Sequence, residues 1–310
     1  MTPLLLTLAY CVKDAERAKS LLKWMGELGG PYPTHSILLA ADNVVDMAIK
    51  SELHAQAKDM FGHVETMMVD VPANKQGWPL GANCMFHQVS RQVMECFRQP
   101  FLWLEPDCTP TKPSWLLELQ DAYYASPKRL MGCFVASNQV GMPRVYLPGC
   151  SIYPNDVYNL LAKSCERPGA WDIESAALTI PRAKNTALIQ DFFGEMDLPP
   201  TFVLEKTTDS PKNALPLSFI RPEAVLFHRC KDGSLIDLLR SKRESSPEPV
   251  KRGPGRPRKT EPVTTKPKMN DWEKHPDVMS ELWKKNAGPE ETANVLKSLE
   301  SEPSSKNVSE

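Results

Sequence analysis

Two carboxylates stand one residue apart where an unbroken apolar run stops, in Pro100-Phe101-Leu102-Trp103-Leu104-Glu105-Pro106-Asp107-Cys108-Thr109-Pro110. Hard oxygen donors spaced this way can share a divalent cation and a hydroxylated ligand. A second apolar run ends in His228, and Lys231 follows three residues later, in Val225–Ser234 (VLFHRCKDGS). There an imidazole can complete a metal site while the ammonium faces a diphosphate. Each pattern has a plainer reading, a surface turn for the acids and a packing role for the histidine. Both nevertheless lie at the end of an apolar strand, and ligands of open parallel sheets gather beyond the carboxyl ends of strands.

The elements that must position these groups follow from periodicity. Leu4–Tyr10 is a continuous apolar run that suits a strand buried on both faces. Asp14–Met25 has helical spacing and stops at Gly29-Gly30. Strands are expected at Ser36–Ala41, Val64–Val71, Phe101–Leu104 and Leu130–Ser137, with helices at Val44–Met60, Leu80–Phe97 and Ser114–Ala125 between them. Such alternation predicts a parallel sheet with helices on both faces. The pattern then becomes mixed. Arg144–Tyr153 reads as a strand pair or one bent strand, helices are expected at 155–165 and 173–193, Pro199–Phe219 is irregular, and Val225–His228 is a last strand before a short helix. The expectation is one α/β domain over residues 1–240.

These motifs resemble those of nucleotide-sugar glycosyltransferases with the GT-A fold. Glu105-Pro106-Asp107 is similar to their Asp-x-Asp motif, with Glu in place of the first Asp, and His228 and Lys231 to their C-terminal metal-binding histidine and diphosphate-binding lysine. The run LTLAYCVKDAERA is similar to the family's first strand and nucleotide-side loop. The resemblance covers roughly residues 4–240. It comes nearest the phage-type enzymes that glycosylate modified DNA bases, through Trp78–Asn83 (WPLGAN), Gly149–Pro154 (GCSIYP) and the HRCKDGSLIDLL ending.

The resemblance implies a Rossmann-like GT-A domain and a UDP-sugar donor lying across the sheet's carboxyl edge. It implies Mn²⁺ or Mg²⁺ held by Asp107 and His228, with Glu105 on the ribose or on a water of the metal. Lys231 would face the leaving phosphate, and Thr7, Ala9, Tyr10 and Asp42 would line the donor. Lys75 and Asn83, in and after the loop 74–79, either grip nucleotide or sugar or belong to a solvated loop and helix start. If the reaction inverts the anomeric centre, a carboxylate must take the acceptor's proton. Asp172 is the candidate base, and Glu174 is second choice. Asp172 also fits a helix N-cap.

Charge is unevenly distributed. Residues 241–268 hold nine Lys/Arg against three Asp/Glu and six prolines, residues 269–310 are net −4, and the body before them is near neutral. This excludes a uniformly basic coat protein and points to a disordered linker over 241–269. Within it, Lys251-Arg252-Gly253-Pro254-Gly255-Arg256-Pro257-Arg258-Lys259 resembles the AT-hook. In that motif proline keeps the chain extended and glycine lets it approach the groove floor. Arg252, Arg256, Arg258 and Lys259 would then lie along the A·T minor groove of double-stranded DNA. A helical hairpin is expected over 270–300 and an unstructured tail over 301–310. No apolar run approaches the ~20 residues of a membrane helix. The eight cysteines include no CxxC pair, which argues against a thiolate zinc site and for reduced core residues of a cytoplasmic protein, in a bacterial host if the gene is a phage's. The readings left open are transfer of a hexose to a 5-hydroxymethylpyrimidine in DNA, transfer to a protein or glycan, and a non-catalytic DNA-binding architectural or regulatory factor.

Overall fold

Leu5–Tyr10 (β1) is buried along its whole length, and its residues alternate between two cores. Leu4, Leu6, Leu8 and Tyr10 face one of them, and Leu5 and Ala9 face the other. A strand whose side chains all need burial must lie inside a sheet covered on both sides. The computed structural model, which describes residues 2–136, 145–192 and 220–245, shows this.

The elements run in order as β1, α1 (Ala15–Leu28), β2 (Tyr32–Asp42), α2 (Met47–Lys58), β3 (Phe61–Val69), α3 (Leu80–Gln92), β4 (Phe101–Leu104) and β5 (Thr109–Pro110). Then come α4 (Trp115–Tyr124), β6 (Leu130–Gly132), β7 (Val135–Ala136), β8 (Val145–Tyr146), β9 (Ser151–Tyr153) and α5 (Val157–Cys165). The last described are α6 (Trp171–Glu174), α7 (Ala176–Thr179), β10 (Ala183–Asn185), β11 (Ile189–Asp191), β12 (Leu226–His228) and α8 (Ser234–Ser245).

Seven strands form the main sheet in the order β10-β6-β9-β4-β1-β2-β3. Its pairs are parallel except at β9, which runs antiparallel to both β4 and β6. Helices α1, α2 and α4 cover one face through Ala18, Leu21, Leu22, Leu53, Ala57, Trp115 and Leu119. Helices α3 and α5 cover the other through Phe86, Val89, Val157 and Leu161. Burying each such side chain contributes about 1.5–3 kcal/mol, which is what holds the layers together. The fold is thus mixed α/β with a mainly parallel sheet, as the alternation predicted.

The second half departs from expectation in three places. The helix expected over 173–193 is instead two short helices and a 3-10 turn at Ile180–Arg182, followed by β10 and β11. Pro181 in that turn cannot continue an α-helical ladder. The strand expected over Leu130–Ser137 is divided between the main sheet (β6) and a two-stranded sheet of β7 and β8. Helix α8 runs five residues past the expected domain end at 240. A third sheet, β11-β12-β5, pairs β12 parallel with β11 and antiparallel with β5. All eight cysteines are free. Among the described residues no helix is long and apolar enough to cross a membrane.

The described residues belong to one compact unit, Met1–Ser246. The irregular stretch expected at 199–219 and the AT-hook residues Arg252, Arg256, Arg258 and Lys259 lie outside the described residues. So do the helical hairpin and the tail.

Candidate functional site

The segment carrying the two acids links the two larger sheets. It leaves the main sheet at Leu104 and turns through Glu105 and Asp107, with Cys108 N donating to Glu105 O at 2.9 Å. It then enters the small sheet as β5, antiparallel to β12. That pairing delivers His228, at the end of β12, to the same turn, and Cys230 N donates to Asp107 O at 3.1 Å. Strand β11 adds a third acid, because its parallel register sets Asp191 directly opposite His228.

The side chains converge accordingly. His228 Nε2 lies 3.2 Å from Glu105 Oε2 and 3.6 Å from Asp107 Oδ1, while Nδ1 lies 2.8 Å from Asp191 Oδ2. His228 and Asp107 are 2% and 8% exposed and lie in the interior, while the Glu105 side chain, 40% exposed, forms the rim of the cluster. Arg229 Nε donates to Asp191 Oδ1 and Oδ2 at 3.1 and 3.0 Å, and its Nη2 to Tyr146 OH at 3.2 Å. Successive strand side chains normally point to opposite faces. The left-handed backbone of Arg229, at φ 76°, breaks that alternation and lets two consecutive residues bond one carboxylate.

Burial opposes every charge here, and the balance differs by residue. For His228 the desolvation penalty is outweighed by the charge of Glu105 and the bond to Asp191, which hold the imidazolium well above its ordinary range. Burial raises the Asp107 carboxyl; His228 counters this and Glu105 adds to it, leaving the net shift upward. Burial also pushes Glu105 up, but the charges of His228 and Arg229 bring it below the usual range.

These residues fit a divalent cation. Asp107 Oδ1 is buried with no hydrogen-bond partner among the described residues, an orphaned acceptor that a cation would satisfy. With Nδ1–H given to Asp191, His228 turns Nε2 toward that oxygen, the orientation a carboxylate imposes on a metal-binding histidine. The space is shaped from the far side by Gly149, where a Cβ would collide with Glu105 Oε1.

The other expected residues are distributed as follows. Asp172 lies within α6, whose N-cap is Ala170, so it is not the cap. Its carboxyl is pushed up to about 6, first by burial and then by the charge of Glu105, against a lowering by Arg229. Asp172 therefore belongs to the electrostatic neighbourhood of the cluster. Glu174 is instead paired with Arg167 at 3.2 Å. Lys231 is exposed beside the site, and its charge is one of those that lower Asp107. Lys75 is exposed on the turn Ala73–Lys75. Asp42 is buried at the end of β2, its Oδ1 accepting from Val44 N at 3.3 Å.

Four expected donor-lining residues are placed in the framework. The Thr7 hydroxyl donates to Leu102 O inside the sheet at 3.2 Å, and Ala9 packs in the core. Asn83 is 1% exposed, with Nδ2 donating to Arg167 O and Gly169 O and Oδ1 accepting from Trp171 N. It fastens the loop that carries Asp172. Tyr10 is buried too, and burial pushes its phenol up to about 12.

Asp191, Arg229 and Tyr146 were not singled out in the sequence, and Gly149 only as the first residue of the GCSIYP run. The first had a faint signal, since the short apolar stretch Ala187-Leu188-Ile189 is followed two residues later by a carboxylate. Reading 173–193 as a helix concealed it.

No protein-family model and no curated protein sequence matches the chain. Among solved structures it is similar to the bifunctional glycosyltransferase WbbM in its apo form, at 10% identity and a TM-score of 0.47 over 74% of this chain and 46% of that one. It is also similar to mouse xyloside xylosyltransferase 1, at 9% identity and 0.44 over 75% and 99% of the two chains. For the galactosyltransferase LgtC in complex with donor and acceptor sugar analogues, the values are 12% and 0.44 over 79% and 98%. The chain spans less than half the length of the WbbM chain it matches. At these values the likeness carries no conclusion about activity.

Proposed function

We propose that this chain is a metal-dependent glycosyltransferase that moves a hexose, glucose in the first instance, from a UDP-sugar to the hydroxyl of a 5-hydroxymethylpyrimidine in DNA. One observation carries the reading. At the carboxyl edge of a mainly parallel sheet, His228 Nε2 faces Glu105 and Asp107, and Asp107 keeps a buried oxygen that accepts no hydrogen bond among the described residues.

Asp107 and His228 hold Mn²⁺ or Mg²⁺, and Glu105 holds the donor ribose. The bound cation supplies Lewis-acid stabilisation of the charge that grows on the leaving diphosphate. Lys231 adds a second positive charge to that group, and Asp191 fixes the ring of His228. Asp172 takes the proton of the acceptor hydroxyl, a role for which a carboxyl raised to about 6 is well matched near neutral pH. The Gly-Arg-Pro segment at 255–257 supports DNA as the acceptor, since a minor-groove tether raises the local concentration of duplex at the site. Reaching a base hydroxyl in duplex requires flipping the nucleotide out.

The test is mass analysis of nucleosides from hydroxymethylated and plain DNA, after incubation with the full chain, Mn²⁺ and a panel of UDP-sugars. A hexose-sized gain on the hydroxymethylated nucleoside alone, lost in Asp107→Ala, is expected. Metal-dependent UDP release with no gain on DNA would move the acceptor to protein or glycan. Absence of any nucleotide binding would leave a DNA-binding factor.

A further inference from the structure

Cys108 and Cys150 are 42 residues apart and belong to no CxxC motif, yet the fold brings their sulfurs to 3.3 Å. The spacing argument against a thiolate site does not see this pair. Cys108 follows Asp107 on the turn out of the main sheet, and Cys150 follows Gly149, the residue packed against Glu105. One sulfur is already at the cation site. Cys108 Sγ, an Asp107 oxygen and a His228 ring nitrogen all lie within 4.8 Å of one another.

This donor set differs in kind from the oxygen-rich one. Carboxylates with an imidazole suit Mg²⁺ and Mn²⁺, whereas thiolates select Zn²⁺ and similar ions. Two sulfurs on one tetrahedral zinc, at Zn–S distances of ~2.3 Å, stand ~3.8 Å apart, a small displacement from the pair seen here. Cys108 also lines a cavity of about 150 Å³ shared with Arg17, Thr109, Cys230 and Asp232.

We propose that this protein has a second, thiophilic cation-binding mode, in which Asp107, Cys108 and His228 take Zn²⁺ or a like ion and Cys150, outside that group but 3.3 Å from the Cys108 sulfur, moves in as the fourth ligand. Each cysteine that ligates exchanges its proton, released to solvent, for the bond to the metal. Glu105 has no part in this mode. Asp107 and His228 serve both modes, so the two ions exclude one another; that exclusion, unlike the binding itself, rests on the reading proposed above. Zinc then acts as an inhibitor competing with the activating cation.

The test uses the full chain and Co²⁺ as the probe. One equivalent should produce thiolate-to-cobalt charge-transfer absorption, which Zn²⁺ abolishes on displacing the cobalt. Cys108→Ser and Cys150→Ser should each cut that absorption by roughly half and the double variant remove it, as expected for two thiolate ligands. Binding of Mn²⁺ to the double variant, read by electron paramagnetic resonance, should stay within about twofold of wild type, since Mn²⁺ draws little on sulfur. Zinc-edge X-ray absorption of the wild type reads the ligands without any substitution. Two sulfurs among four ligands support the proposal, and a shell without sulfur overturns it. Charge-transfer absorption that survives the double variant overturns it as well. A protein that binds cobalt through sulfur but never Mn²⁺ upholds this inference and sinks the transferase reading. One that binds Mn²⁺ while its cobalt spectrum lacks sulfur does the reverse.

Discussion

Asp172 and Asp191 are both acids of the cluster's neighbourhood, and their settings assign them opposite behaviour. Asp172 has its carboxyl raised to about 6, so the folded protein holds this proton more tightly than the unfolded chain does. The resulting stabilisation is complete below about pH 4 and is lost as pH rises through 6. Above that, the ionised side chain costs stability. Asp172→Asn should therefore stabilise the fold at pH 8, by no more than about 2 kcal/mol once partial exposure is allowed for, and leave its stability unchanged near pH 4. Turnover should fall sharply in the same variant with UDP binding retained, and wild-type turnover should climb with pH through about 6. Thermal unfolding at the two pH values and a pH–rate profile check both arms. Asp191, by contrast, is 1% exposed and bonds both His228 and Arg229. Asp191→Asn should weaken Mn²⁺ binding by ~10- to 100-fold, the usual effect of losing the carboxylate behind a metal-binding histidine. Direct Mn²⁺ titration decides it.

At the scale of elements, the loop into α6 is held from α3. Three hydrogen bonds from Asn83 reach Arg167, Gly169 and Trp171. Asn83→Ala takes their partner from the buried Trp171 N–H and the half-buried carbonyls of Arg167 and Gly169, and should cost about 1–3 kcal/mol. Turnover should drop because Asp172 drifts, while Mn²⁺ affinity stays near wild type. Equal loss of both would show that α3 supports the cation site as well. The same level shows what could be read in advance. Elements with a strong period were legible: β1 from its unbroken apolar run, α1 from its spacing and glycine stop, β4 with the same bounds as expected. That the two acids and the histidine would meet could be expected because each ends or follows such a strand. Asp191 was not legible, because Ala176–Ile180 prolongs a helical look up to Pro181 and β11 is three residues long, too short for its own period to register. Gly149 and Asn83 were misplaced or unseen for another reason. Their importance lies in contacts with residues distant in sequence, and those exist only after folding.

On the scale of the whole molecule, the site is a seam. Glu105 and Asp107 leave the main sheet, and His228 and Asp191 come from the small one. Any ion gripped by Asp107 and His228 therefore ties two sheets together and stabilises the folded state by linkage. At a hundredfold excess over its dissociation constant that amounts to about 2.7 kcal/mol. Adding Mn²⁺ should raise the melting temperature by several degrees, chelation should reverse it, and His228→Ala should show no response. The seam also gives the protein a built-in dependence on its surroundings. Without a cation, the charged part of the junction relies on protons and mutual attraction and so becomes sensitive to acidity, beside the apolar core and the Cys230–Asp107 backbone bond that join the sheets in either state. A cation held by Asp107 and His228 would rivet this line, and a change in the metal supply would then be felt first as a loosening along it, before either sheet has lost a strand.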